Sequence, residues 1–149
     1  MITETSIEID APAATVWDVY SDVEGWPSWT ESVTDVSALD EPGLEVGRRF
    51  AISQPKFPRL VWEVTAVEPR QGWTWRQRSV GGTTLAHHRI EPIGEGRALV
   101  TQGVDQRGPV GLLVGVLVRR LTRRYLAMES AGLKGAAEDR HRSARAQTS

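Results

Sequence analysis

Residues 60–91 of this 149-residue chain read LVWEVTAVEPRQGWTWRQRSVGGTTLAHHRIE, and their hydrophobicity alternates with a period of two. Such alternation predicts β-strands that bury one face. Gly81-Gly82 separates two of the alternating runs, which is a strong signal for a tight hairpin. Strands joined by links this short must be antiparallel, because a parallel pair needs a long crossover.

The alternation continues on both sides of this stretch, with turn-forming residues between the runs. The predicted strands are Thr3–Asp10, Val33–Leu39, Arg48–Gln54, Leu60–Glu68, Trp73–Val80, Thr83–Glu91 and Ala98–Asp105. Two helical segments separate the first strand from the second. Ala13–Ser21 is amphipathic and follows Pro12, a residue suited to a first helical turn. Within residues 22–30, Pro27 disfavours a helical Trp26, so a break or a second short helix after it is expected.

The pattern changes to helical spacing after Gly108-Pro109. One predicted stripe comprises Val110, Leu113, Leu117, Leu121 and Met128. The apolar opening of this segment ends at Arg119-Arg120, which makes it too short for a membrane span. We therefore expect an amphipathic helix over 110–132 that packs on the sheet. Residues 134–149 lack periodicity and are expected to be disordered, which leaves one domain over residues 1–133.

These elements predict an α+β fold. A curved antiparallel sheet of seven strands carries two short helices after its first strand, and the long C-terminal helix packs across its apolar face. The space between this helix and the sheet is where we expect a cavity.

Charge and composition exclude several classes of function. Eighteen basic and nineteen acidic side chains give a net charge of −1, which argues against nucleic acid as the main partner. The absence of cysteine excludes disulfides, cysteine-ligated zinc and thiol nucleophiles. The three histidines do not form a zinc set, so no metal and no cofactor is expected. A cytoplasmic protein is expected, either a monomer or a homodimer.

The order of these motifs resembles the superfamily of START lipid-transfer domains, polyketide cyclases/dehydratases and birch-pollen-allergen-like proteins. The matching pieces are Ile7–Pro12 followed by Val16-Trp17, the Trp-Pro-x-Trp within Asp22–Trp29, Glu68-Pro69, His88–Pro92 and Gly108-Pro109. The resemblance covers about residues 3 to 130. It implies a helix-grip fold with a hydrophobic cavity for a lipid, a polyketide or a similar molecule. It implies no particular reaction, because this superfamily shares no catalytic set.

Strand parity identifies candidate site residues. Ile90 is apolar, so His88 shares its face of the sheet, and Gln102 shares a face with Val100. His88 is a candidate acid/base and Gln102 a candidate partner that orients it, although a hydrogen-bonded core histidine is the commoner situation. The expected ligand-binding residues are Trp17, Tyr20, Trp26, Trp29, Phe50, Trp62, Trp75, His88, Gln102, Leu113, Leu117, Leu121 and Arg124.

Several arginines have two interpretations. Arg48, Arg76 and Arg78 either bind an acidic ligand group or lie on the solvated outer face of the sheet, with Glu63 as an outward partner. Residues 119–124 contain four arginines, which suit a solvated helix face, anionic lipid headgroups or an acidic partner. Three hypotheses of function follow: a module that binds a small hydrophobic molecule, a cyclase/dehydratase-like enzyme that uses His88, and an interaction or membrane-associated factor.

Overall fold

The structure is a computed structural model that describes residues 1–148. In chain order the elements are β1 (Ile2–Ile9), α1 (Ala13–Tyr20), a 3₁₀ helix (Val23–Ser28), β2 (Asp35–Ala38), β3 (Arg49–Ser53), β4 (Leu60–Glu68), β5 (Gly72–Ser79), β6 (Gly82–Gly94), β7 (Arg97–Arg107), α2 (Pro109–Leu117) and α3 (Arg119–Thr148). The seven strands form one sheet in the order β1-β7-β6-β5-β4-β3-β2, and neighbouring strands are antiparallel. The predicted helix-grip fold is confirmed.

The inner face of the sheet follows the alternation in the sequence. Ala86, His88 and Ile90 are buried on β6, whereas Arg89 between them is exposed. The exception is on β4, where the pairing register shifts between Val64 and Ala66. Strict alternation along Leu60–Glu68 would place Ala66 beside Val64 on the inner face, but Ala66 is exposed because the bulge reverses the parity of the residues after it.

The region predicted as one helix over 110–132 forms two helices. α2 ends at Leu117, and α3 begins at Arg119. Gly111 and Gly115 lie against the sheet, and a Cβ atom on Gly115 would be 2.6 Å from Oε1 of Gln106. Glycines at these positions allow a close approach of α2, so its leucines point away from the sheet. The predicted inward stripe is therefore wrong along α2: Leu113 is 60% exposed and Leu117 is 74% exposed.

The C-terminal tail also differs from the expectation of disorder. α3 continues to Thr148, and Leu133 and Ala137 on it are buried. Glu138 accepts a hydrogen bond from the backbone N–H of Asp10 at 2.8 Å and pairs with Lys134 at 2.5 Å. These contacts attach the part of α3 around Leu133–Glu138 to the start of the chain, and the helix continues beyond them to Thr148. The last position of the predicted tail, 149, lies outside the described residues.

Candidate functional site

A cavity of about 270 Å³ lies between the concave face of the sheet, α2 and the first half of α3. Its volume is near the lower end of the roughly 300–1,000 Å³ that small-molecule sites occupy. Most of the wall surface is apolar, although several polar side chains contribute to it, and the wall includes Trp26, Val33, Ile52, Leu60, Trp62, Trp75, Gln77, Thr84, Ala86, His88, Gln102, Val104, Gln106, Val114, Val118, Tyr125, Leu126 and Glu129. A cavity of this composition suits an apolar molecule that carries one or two polar groups.

The loop between β3 and β4 closes part of the cavity against α3. Phe57 and Pro58 of this loop belong to the wall. The Phe57 ring meets the Tyr125 ring edge-on at 5.7 Å, and the Tyr125 hydroxyl donates a hydrogen bond to the carbonyl of Pro55. The loop and the helix are thus joined at the cavity.

Three indoles form a connected aromatic surface in the wall. The ring centroids of Trp26 and Trp75 are 5.6 Å apart, and those of Trp62 and Trp75 are 5.9 Å apart. Trp26 Nε1 donates to the carbonyl of Tyr20 at 2.8 Å, which fixes the orientation of its ring. Aromatic rings held in this way offer flat faces and edges to another ring.

His88 lies within this aromatic environment and is uncharged. Its ring stacks on Trp73 with centroids 4.1 Å apart, and Nδ1 is 3.3 Å from the Trp73 carbonyl oxygen. Burial lowers the pKa of His88 to about 3. With Nδ1–H donating to the carbonyl, Nε2 is the ring nitrogen that can accept a hydrogen bond from a ligand. A neutral imidazole of such low pKa is a weak base at pH 7, so His88 is better suited to binding than to proton abstraction.

Gln102 faces His88 across β6 and β7 but does not orient it. Its Oε1 accepts a 2.5 Å hydrogen bond from the Tyr20 hydroxyl, and its Nε2 donates to the Leu126 carbonyl at 2.9 Å and to Ser130 Oγ at 3.0 Å. The side chain therefore connects the sheet to α1 and α3. The predicted pairing of Gln102 with His88 is wrong, because the His88 Nδ1 atom is bonded to the Trp73 carbonyl and the Gln102 amide has other partners.

The sequence interpretation missed Glu129, a buried carboxyl group in the cavity wall. Glu129 is 9% exposed, and its Oε1 atom accepts a long hydrogen bond of 3.5 Å from Ser32 Oγ. No ion pair with a cation is found for it within residues 1–148. Burial raises the pKa of Glu129 to about 8, so the carboxyl is mostly protonated at pH 7.

A signal for Glu129 exists in the sequence. Tyr125, Glu129, Leu133 and Ala137 follow one another at intervals of four, and all four are buried. The prediction extended a stripe from Val110 through the helix break at Val118, and this frame placed Met128 rather than Glu129 on the inner face. When the helical pattern is counted from Tyr125, Glu129 is the one ionisable carboxyl group in a row whose other members are Tyr125, Leu133 and Ala137.

Only some of the expected ligand-binding residues line the cavity. Trp26, Trp62, Trp75, His88 and Gln102 line the cavity, and Tyr20 lies behind it with its hydroxyl on Gln102. Trp17 and Phe50 instead border a separate depression of about 380 Å³. That depression is larger, but it carries the carboxylates of Asp22 and Glu24 and less apolar surface, so the first cavity is the better ligand site.

Five further expected ligand residues lie outside the cavity wall: Trp29, Leu113, Leu117, Leu121 and Arg124. The Trp29 backbone packs against Gly132 of α3. Leu113, Leu117 and Arg124 are exposed and lie outside the wall, because α2 turns its glycines towards the sheet and the helix break changes the frame of α3. Leu121 is half-buried and also lies outside the wall.

Arg76 and Arg78 of β5 lie on the outer face of the sheet, as one of the two interpretations predicts, whereas Arg48 lies in the loop before β3. Arg76 pairs with Glu63 at 2.5 Å, and Arg48 pairs with Glu45 at 2.9 Å. Arg78 is exposed. None of the three belongs to the cavity wall.

The described part of the chain lacks the features of a metal site and of a membrane-spanning helix. Residues 1–148 contain no cluster of three His, Cys, Asp or Glu side chains placed to hold a metal ion. Among the same residues, no helix has both the length and the hydropathy that a membrane span requires.

Comparison with known proteins gives a consistent assignment. A putative polyketide cyclase from Streptomyces halstedii is 28% identical over 115 residues, which cover 75% of this chain and 94% of that protein. A hypothetical protein from Helicobacter pylori superposes with a TM-score of 0.79 at 14% identity, covering 92% of this chain and 88% of the other. Norcoclaurine synthase from Thalictrum flavum superposes with a TM-score of 0.75 at 15% identity, covering 94% and 95%. At these identities the two structures show the shared fold alone.

The family described as polyketide cyclase / dehydrase and lipid transport matches residues 2–138, which span all seven strands and the part of α3 that carries Glu129. The chain belongs to this family.

Proposed function

We propose that this protein binds a small apolar molecule with at least one ring and one polar group in the cavity between the sheet, α2 and α3. The observation that carries the proposal is the cavity itself: a mostly apolar space of about 270 Å³ in which three indoles meet polar side chains, among them His88 and Glu129. His88 Nε2 supplies an acceptor, and the protonated Glu129 supplies a donor. The name of the Streptomyces relative supports a polyketide-like ligand. Cytoplasmic location and the choice between monomer and homodimer stay predictions.

The proposal is tested with 2-naphthol, a two-ring molecule with one hydroxyl group, and with naphthalene, which lacks the hydroxyl. Quenching of tryptophan fluorescence should show saturable binding of 2-naphthol, with naphthalene binding more weakly because it leaves the cavity's polar groups unpaired. Thr84→Phe places a ring in the cavity and should weaken 2-naphthol binding at least tenfold.

Thr83→Phe is the matched control. Thr83 is the preceding residue of β6, so its side chain points to the opposite face of the sheet. This variant should bind 2-naphthol as the unchanged protein does. Equal affinities in the two variants, or no saturable binding of 2-naphthol, contradict the proposed cavity site.

A catalytic role is the second candidate function, and Glu129 is the observation that favours it. A protonated carboxyl in a water-poor cavity can give its proton to the hydroxyl of a β-hydroxyketone, which departs as water. The carboxylate left behind then removes the proton from the adjacent α-carbon, which forms the C=C bond and restores the acid. Holding a flexible chain in one conformation in the same cavity favours ring closure.

Heptane-2,6-dione tests this role, because its cyclisation and loss of water give 3-methylcyclohex-2-enone. Glu129→Gln should lower the rate at least a hundredfold while 2-naphthol still binds. His88→Gln should lower the rate much less, since His88 is not assigned the proton transfer. A rate that Glu129→Gln leaves unchanged contradicts the catalytic role but leaves the binding role intact.

A further inference from the structure

α2 exposes an unusually apolar surface, which we define as the apolar face of α2. Its members are Leu112, Leu113, Val116 and Leu117, which are all at least 48% exposed and lie outside the cavity wall. Val80 in the β5–β6 turn is 95% exposed, and its neighbour Gly81 lies against the Val110 side chain at the start of α2. Large contiguous apolar patches on a protein surface mark sites of interaction.

The residues that follow this face in the chain carry basic side chains. Arg119, Arg120, Arg123 and Arg124 occupy the first two turns of α3, and all four are exposed. No salt bridge is found for any of them within residues 1–148. The sequence from 106 to 128 contains no aspartate or glutamate. The apolar face of α2 is therefore followed directly by four unpaired positive charges.

An anionic lipid bilayer complements both properties at once. The nine residues of α2 span about 14 Å along the helix axis, less than half the thickness of a hydrocarbon core, so α2 can lie in the interface but cannot cross it. Apolar side chains of such a helix enter the boundary between headgroups and acyl chains. Arginine side chains are long enough to reach lipid phosphates from the adjoining turns.

The opposite side of α2 belongs to the cavity. Gly111, Val114 and Val118 are part of the cavity wall, so α2 separates the cavity from the surface that carries its apolar face. A bilayer against this face is one helix thickness from the ligand space. Apolar molecules partition into bilayers, so this position gives them a short path into the cavity.

We propose that the protein docks on anionic membrane surfaces through the apolar face of α2 and the arginines at 119, 120, 123 and 124. Docking does not require the ligand proposed above. The two proposals therefore fail independently: vesicle binding tests one, and 2-naphthol affinity without vesicles tests the other.

The test is co-sedimentation of the full chain with phosphatidylcholine vesicles, with and without phosphatidylglycerol. The protein should bind the anionic vesicles, and added salt should weaken that binding. L113Q/L117Q should lower the partition coefficient at least tenfold, because both exposed leucines lose their apolar contact with lipid. R119Q/R120Q should lower it severalfold. Both variants should keep their affinity for 2-naphthol, since none of these side chains lines the cavity.

Matched controls come from other exposed positions. V46Q/V61Q removes two apolar side chains that are 65% and 45% exposed elsewhere, and R140Q/R145Q removes two exposed arginines near the end of α3. These variants should bind vesicles as the unchanged protein does. Equal losses in test and control variants, or equal binding to neutral and anionic vesicles, overturn the proposal. A dimer in sedimentation velocity that L113Q/L117Q abolishes, without vesicle binding, would assign the face to a second copy of the chain.

Discussion

Glu129→Gln is expected to raise the free energy of unfolding at pH 8 by about 4 kcal/mol and to change it little below pH 4.5. Burial raises the pKa of Glu129 from its ordinary 4.5 to about 8, so the unfolded chain releases this proton at lower pH than the folded protein does. Between these values each pH unit costs the folded state up to about 1.4 kcal/mol. Glutamine removes this cost because it cannot ionise.

Urea denaturation of the unchanged protein and of Glu129→Gln at several pH values measures the difference in their free energies of unfolding. His88 acts on the acidic side: its lowered pKa of about 3 means that stability present above pH 6.5 is lost as the pH falls towards 3. That loss is common to both proteins, so their difference isolates Glu129. The unchanged protein should be most stable near pH 5–6, where the opposing effects of these two groups balance.

Glu138→Gln is the matched control on the same helix. The Lys134 ammonium and the Asp10 N–H hold the pKa of Glu138 below its usual value, so this carboxylate stabilises the folded state above pH 4.5. Its replacement should therefore lower stability at pH 8, the opposite sign to Glu129→Gln. The same pH dependence in the unchanged protein and in Glu129→Gln would contradict a buried, protonated Glu129.

Gly132→Ala is expected to destabilise the protein by about 3 kcal/mol, although alanine is the better helix former. A Cβ atom at this position would lie 2.1 Å from the carbonyl oxygen of Trp29, and backbone cannot yield as a flexible side chain does. Either α3 or the end of the 3₁₀ helix must move. Because α3 carries Glu129 and Tyr125, the affinity for 2-naphthol should fall as well.

Gly135→Ala provides the control for helix propensity. Gly135 lies one turn further along α3, and no atom is within 4 Å of a Cβ atom built there. This substitution should stabilise the protein by about 1 kcal/mol. Urea denaturation of the two variants should thus give opposite signs, and equal effects would contradict the close packing of α3 on Trp29.

The sheet and half of the candidate site could be predicted from the sequence, because strand alternation reports burial directly. It placed His88 and Gln102 on the inner face, but their direct pairing across β6 and β7 became visible only in the structure. For Arg76 it left a ligand contact and the outer face as alternatives, and the structure shows the outer face with Glu63 as the partner. The alternation failed at Ala66, since a bulge inserts a residue without a signature in the sequence.

The helices were harder to predict for a different reason. Periodicity identifies an apolar stripe but not what covers it, and along α2 the close packing is made by Gly111 and Gly115 rather than by the leucines. Glu129 was missed because a charged residue counts against burial in any hydrophobic pattern. Its burial depends on contacts with Ser32 and the cavity, which are distant in the chain.

A binding protein must hold its helix on the sheet and must also shape its cavity. In this fold Gln102 attaches α3, so these two tasks fall to different residues. The hydrogen bonds to Tyr20, Leu126 and Ser130 hold the helix by polar groups. Side chains such as Thr84 and Val104 are then free to vary in size without displacing that helix. The volume of the hollow becomes a property that evolution can tune residue by residue, and one scaffold can be adapted to cargoes of many shapes.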